Sequence, residues 1–304
     1  MSSASRPDLG IATRYTTPGR LTSFGRFAGR LDDLPADPAA LARVVQGLVV
    51  HEHIAHAYGV TLTDEARRTV HIRDVESLVE QILALDHRSL LEPRPPESRI
   101  AGNCRHMTVL FVAMLRAQGI PARARCGFGT YFGTGGAEDH WVCEYWHADE
   151  GRWILADAQI DERQQEMFGI DIDPLDVPRD RFLVAGQAWR QCRAGESDPE
   201  RFGLAMVEEG GYWWIAGNLV RDLAALCDIE MLPWDDWGAM PAPDQPLEAF
   251  GAELVDLFDR VASLTVEPDD ALPELDRVYE DERLRVPAVV HNAVLNRDEP
   301  VFRT

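Results

Sequence analysis

The chain has 304 residues, 45% of them hydrophobic and 27% charged, which is enough for one large domain or two small ones with a buried core. Its formal net charge of −21 argues against a nucleic-acid binder, which needs clustered Lys and Arg, and against docking on anionic lipid. The cysteines (Cys104, Cys126, Cys143, Cys192 and Cys227) are odd in number and form no CxxC pair, so neither a disulfide framework nor a structural zinc site is expected. The opening stretch MSSASRPDLGIATRYTTPGR has no apolar signal core and no later run reaches transmembrane length, so the expected location is a reducing cytoplasm.

Residues 1–37, polar and rich in Gly, Pro and Arg, read as an irregular arm with Leu21, Phe24 and Phe27 as sparse anchors. Asp37-Pro38 is a helix start, and the helix is expected to run through AALARVVQGLVVHEHIAHAYG to Gly59. A second helix over Val75 to Asp86 carries Leu78, Ile82 and Leu85 at helical spacing, and PRPPES at 93–98 breaks the chain. CRHMTVLFVAMLRAQ, from Cys104 onward, predicts a third helix. Asn103 is its cap, Gly119 suits a left-handed C-terminal position, Ile120 gives the apolar contact beyond it, and Pro121 prevents continuation. This helix is apolar on nearly every side, which places it in a core.

Beyond it the period changes. ARARCGFGTYF, EDHWVCEYW and RWILADA are β-prone runs, with a loop at Gly133–Gly136 and a hairpin turn at Ala148–Gly151. From residue 161 loops alternate with helical pieces, one from Asn218 (NLVRDLAALCDIE) and one from Leu247 (LEAFGAELVDLFDRVASL). A Pro- and Trp-rich connector, 233–246, separates them.

Three residues carry chemistry. Cys104 falls at the first helical position, where the positive end of the helix dipole favours a thiolate. His140 and Asp157 lie on consecutive β-prone runs. If Trp146 or His147 pairs with Gly151 or Arg152 so that the paired numbers sum to an odd value, His140 and Asp157 share a face. They are then opposite each other or one diagonal step apart; a slip of one residue separates them. A thiol, a His and an Asp in this arrangement are the parts of a nucleophile with an oriented base.

The runs GNCRHMTVLFVAMLRAQGIPARARCGF, DHWVCEYW and GRWILADAQID together resemble the transglutaminase-like superfamily, whose pattern is a Cys helix ending in GIPAR, then an H-W strand and a W…D strand. The resemblance implies an α+β fold with a papain-like core, the Cys-bearing helix buried against an antiparallel sheet, and helical additions at both ends. It divides the chain into an N-terminal arm and helical extension (1–98) and a catalytic core (99–304, motifs 99–160), expected to form one compact unit. It implies a cysteine-dependent hydrolase or acyltransferase working through an acyl-enzyme on a peptide-like or small-molecule acyl donor, with no cofactor. Cys104 attacks, His140 shuttles the proton and Asp157 orients His140. The backbone N–H of Cys104 is the expected oxyanion donor, with Asn103, His106 and Trp141 as candidate supporting residues.

Arg105, Arg123 and Arg125 either pair with local carboxylates such as Glu138, Asp139 and Glu144 or recognise a substrate carboxylate. HEHIAH (His51, His53, His56) lacks the i, i+4 pair of a zinc helix and reads as a helix end, so no metal is expected. Two other functions remain open. One is a non-catalytic binding or scaffold protein that keeps the fold. The other is a biosynthetic acyltransferase using thioester donors, which an acidic surface disfavours for docking acidic carriers.

Overall fold

The computed structural model describes residues 9–31 and 33–302. The chain forms two units. One comprises the chain up to Ala124 with Val142–Gln165 and Asp173–Val177; the other comprises Arg125–Trp141, Glu166–Ile172 and the chain from Pro178 onward.

The first unit opens with α1 (Leu9–Thr16), part of the expected arm. That arm also carries a 3-10 helix at Gly25–Arg30, so it is more ordered than expected, and its residues 1–8 and 32 lie outside the described residues. Ile11 and Tyr15, four residues apart on one helix face, are both buried and explain why a short helix holds here. α2 (Pro38–Leu48) is capped by the Asp37 side chain, which accepts from the Ala40 N–H. The helix stops at Leu48 rather than Gly59. Val49 and Val50, both β-branched, enter strand β1 (Val49–His51) and pair in parallel with β2 (Ile100–Gly102), so a ladder over fifty residues of sequence overrides the local helical pattern. HEHIAH therefore spans a strand end and a 3-10 turn rather than a helix end. α3 (Asp64–Arg67) and α4 (Val75–Leu85) follow, the latter capped by Asp74.

β2 leads through Asn103 into α5 (Cys104–Ala117), which is buried along nearly its whole length and packs on α1, α2, α4 and the β1–β2 pair. Gly119, at φ 73°, ends it. The Gly119 N–H reaches back to the Arg116 carbonyl and the Ile120 N–H to that of Leu115, as the Gly-Ile-Pro signature predicts.

β3 (Ala122–Gly129) and β4 (Ala137–His147) each begin in one unit and end in the other. In the first unit β5 (Arg152–Ala156) pairs antiparallel with β4, Trp146 opposite Trp153 and His147 opposite Arg152. That is the odd-sum register. Next come α6 (Glu162–Phe168), β6 (Phe182–Val184), α7 (Ala185–Arg193), β7 (Phe202–Leu204), β8 (Glu209–Gly210) and α8 (Tyr212–Leu226). The hydrogen-bonded strand order is β6-β3-β4-β7-β8, with β5 also on β4. β4 and β7 run parallel, whereas β3–β6, β4–β5 and β7–β8 run antiparallel, so the sheet is mixed rather than antiparallel as expected. The long connection between these two strands carries α6 and α7, and a crossover of this length is what a parallel pair requires.

The second unit ends with β9 (Asp235–Asp236), α9 (Ala252–Val266), α10 (Leu272–Tyr279), β10 (Val289–Asn292) and β11 (Arg297–Pro300), the three strands forming a small antiparallel sheet. α7, α8, α9 and α10 cluster around Trp189, whose ring meets Tyr212, Phe250 and Phe258. The fold is α+β. Among the described residues no helix is long and apolar enough to cross a membrane.

Candidate active site

Cys104 is the first residue of α5 and is buried, with 8% of its surface exposed. The Asn103 side-chain oxygen accepts from the His106 N–H at 3.4 Å, and His106 Nδ1 accepts from the Asn103 N–H at 3.3 Å, a reciprocal capping box. Asn103 is thus engaged as the helix cap. Burial, reinforced by the Arg105 charge, holds the His106 imidazole well below its ordinary value and so neutral. His106 locks the N-terminus of the helix that carries the thiol. Gly102, two residues before the cysteine, has no room for a side chain: a Cβ there would lie 2.8 Å from Val49 Cγ1. The Gly102 carbonyl accepts from the Glu52 N–H at 2.8 Å, which ties the end of β1 to the approach of Cys104.

Glu52 was not singled out in the sequence. Burial pushes its carboxyl up to about 7 against the pull of Arg67, and one of its oxygens is buried without a hydrogen-bond partner among the described residues.

Asp157 follows β5 directly and is buried. Its N–H donates to the Pro174 carbonyl at 2.6 Å, and its Oδ1 accepts from the Gln159 N–H at 3.0 Å. A polar network continues from there. Gln159 Nε2 donates to Gln164 Oε1, Gln164 Nε2 donates to the Tyr58 hydroxyl, and that hydroxyl donates to Asp161. Tyr58 lies 106 residues from Gln164, too far for any spacing rule to join the two.

In the second unit His140 is buried on β4 among aromatic rings. Phe132 meets it edge-on with centroids 4.9 Å apart, Tyr131 at 6.1 Å and Phe182 at 6.5 Å. Asp139, the preceding residue, accepts from Trp214 Nε1 and Asn218 Nδ2, each at 2.9 Å, and so fastens β4 to α8. Burial raises the Asp139 carboxyl, opposed by Arg221 and these two donors. Trp141 is fully buried.

The arginines are core residues. Arg125 grips both oxygens of Asp222, at 3.0 and 2.9 Å, with neither side chain exposed, and Asp222 also accepts from the Cys126 N–H. Arg123 donates to Glu144 at 2.7 Å and stacks over Trp153. Glu138 accepts from the Ala205 N–H rather than from a local arginine, and Arg105 is fully buried.

The remaining cysteines contrast with Cys104 in position. Cys126, Cys143 and Cys192 are buried away from helix starts; burial pushes the Cys143 thiol well above its ordinary value and the Cys192 thiol up to about 12. A surface cavity of about 300 Å³ in the first unit is lined by residues such as Asp37, Ile120, Trp146 and Asp149, and by none of Cys104, His140 or Asp157.

Residues 84–158 match the model of the Transglutaminase-like superfamily, a segment that contains Cys104, His140 and Asp157. No curated protein matches the chain. Among solved structures, one from Cytophaga hutchinsonii, provisionally described as a cysteine protease, is similar at 16% identity and a TM-score of 0.33. The likeness covers 58% of this chain and 47% of that one, so the chain spans about half the length of that relative. The matched segment runs through α5, β3, β4 and β5, with Cys104 at the start of α5 and further helices on either side of it.

Proposed function

We propose that the chain is a thiol enzyme of the transglutaminase type, in which Cys104, His140 and Asp157 carry an acyl group between an amide-type donor and water or an amine. The observation that carries this reading is Cys104 at the first position of a capped, buried helix within the segment that matches the superfamily. The parity of one hairpin supports the rest of the triad. If the register that sets Cys143 opposite Ala156 is continued, His140 and Asp157 share a face one diagonal step apart.

In the proposed reaction His140 takes the Cys104 thiol proton as the sulfur attacks the carbonyl carbon and forms a C–S bond. The negative charge that develops on the oxygen is met by the Cys104 N–H, one of the first-turn groups with no intrahelical acceptor. His140 then passes its proton to the leaving nitrogen as the C–N bond breaks. Water or an amine attacks the thioester, His140 takes the incoming proton, and the C–S bond breaks to restore the thiol.

Intact-mass analysis after incubation with a panel of peptides, esters and thioesters tests this. An adduct of one acyl group is expected, absent in Cys104→Ala and retained in Cys227→Ser, a change at the one cysteine that is not buried. Iodoacetamide labelling against pH should also change in His140→Ala. A Cys104 that takes no acyl group from any donor, and alkylates like a free peptide thiol with or without His140, would sink the proposal.

A further inference from the structure

The rings around His140 fall into two kinds. Tyr131 and Phe182 are buried and complete the packing of the imidazole. Phe132, which meets the imidazole, and Phe168, which meets Phe132, are different: each is only half-buried, although each has an aromatic neighbour. Their centroids are 5.7 Å apart in an edge-on arrangement at 86°, and Phe132 is the ring nearest the imidazole. They come from separate segments, the turn after β3 and the last residue of α6. Met167, beside Phe168, is itself 41% exposed.

The backbone is built to hold this wall. A Cβ on Gly129 would lie 2.8 Å from the Phe132 ring and 3.1 Å from that of Tyr131, so a glycine is what lets both rings fold back beside the strand. Gly133, at φ 73°, turns the chain immediately after Phe132, and a Cβ there would lie 3.2 Å from the Phe168 carbonyl. Two partly wetted rings, Phe132 against the proposed base and Phe168 against Phe132, therefore stand together in a protein carrying 51 acidic residues. Packing of His140 alone does not require them to be left open. An apolar group on the substrate would cover them, and its burial would be favourable in proportion to the area removed from water.

We propose that Phe132 and Phe168 form a specificity wall beside His140 that selects an acyl donor with a large apolar side chain, aromatic or branched, over a short one. The proposal rests on the reading of His140 as the base of Cys104. No atom of either ring takes part in the chemistry; the wall acts by holding the donor's apolar group beside the imidazole.

The test compares acylation of Cys104 by 4-nitrophenyl acetate and 4-nitrophenyl phenylacetate, followed by intact mass and corrected for the hydrolysis of each ester in buffer. Taking both rates in the same variant cancels any change in thiol reactivity. The wild type should prefer phenylacetyl by roughly tenfold or more, the scale of a few methylene-sized contacts in an apolar pocket. Phe132→Ala and Phe168→Ala should each pull that ratio toward one, and Phe132→Leu should keep most of it. A ratio unchanged in both alanine variants, with their far-UV spectra native, overturns the specificity wall and leaves the thiol mechanism standing. No acylation of wild-type Cys104 by either ester, together with none from the wider donor panel, overturns the mechanism itself and the wall with it.

Discussion

Asp222 and Arg125 show how much a single pair can hold. Both are fully buried, their contact is bidentate, and Asp222 also satisfies a β3 N–H. Removing one partner leaves a charge with no water to solvate it, so Asp222→Ala is expected to cost about 3–5 kcal/mol in urea unfolding. The double change Arg125→Met with Asp222→Leu should restore most of that loss, because it removes both charges at similar volume. Glu52 gives a pH signature of the opposite kind. Its carboxyl is raised from 4.5 to about 7, so between those values the folded state holds a proton that the unfolded chain has lost. Stability from this group therefore falls as pH rises through that window, by about 3 kcal/mol in all, and is lowest above it. Glu52→Gln should flatten this slope and make the protein more stable than wild type at pH 8. Thermal melts at pH 5 and pH 8 check it; parallel curves for the two proteins would contradict the assignment.

Helix α5 was the most legible element. Asn103 and the Gly119-Ile120-Pro121 ending marked both of its ends, because capping is local chemistry written in consecutive residues. Asn103→Ala should lower stability by about 1 kcal/mol, read as a fall in melting temperature, and Asn103→Asp should recover most of it. The β4–β5 hairpin was legible for the same reason: a short turn at Ala148–Gly151 sets its register. The end of α2 was not. Val49 and Val50 fit a helical stripe, and only their pairing with Ile100 and Ala101 draws them into a strand. The arginines follow the same logic. Arg123 found a carboxylate within the next strand, at Glu144, but Arg125 found one 97 residues away in α8. The aromatic surroundings of His140 were illegible as well, since Phe132, Phe168 and Phe182 converge from three segments that no single-sequence period links.

Over the whole molecule the charge of −21 is the dominant global term. Like charges repel across distances that salt can screen, with a Debye length of about 30 Å at 10 mM salt and about 8 Å at 0.15 M. The melting temperature should therefore rise by a few degrees, roughly, between those two conditions, and rise equally with NaCl and KCl. A flat or falling response would mean that the surface ion pairs, such as Arg152 with Asp176, outweigh the net repulsion.

The interleaving of the two units along the chain has a consequence for synthesis. A ribosome delivers Cys104 and its helix early, yet the first unit has its last segment only once Val177 has been made. Arg125–Trp141, the stretch that carries His140, must then wait for partners such as Asp222 and Trp214, still further downstream. The Cys104 helix can be assembled while His140 is still on an unfinished strand, so folding during translation delivers the thiol before the group proposed to activate it.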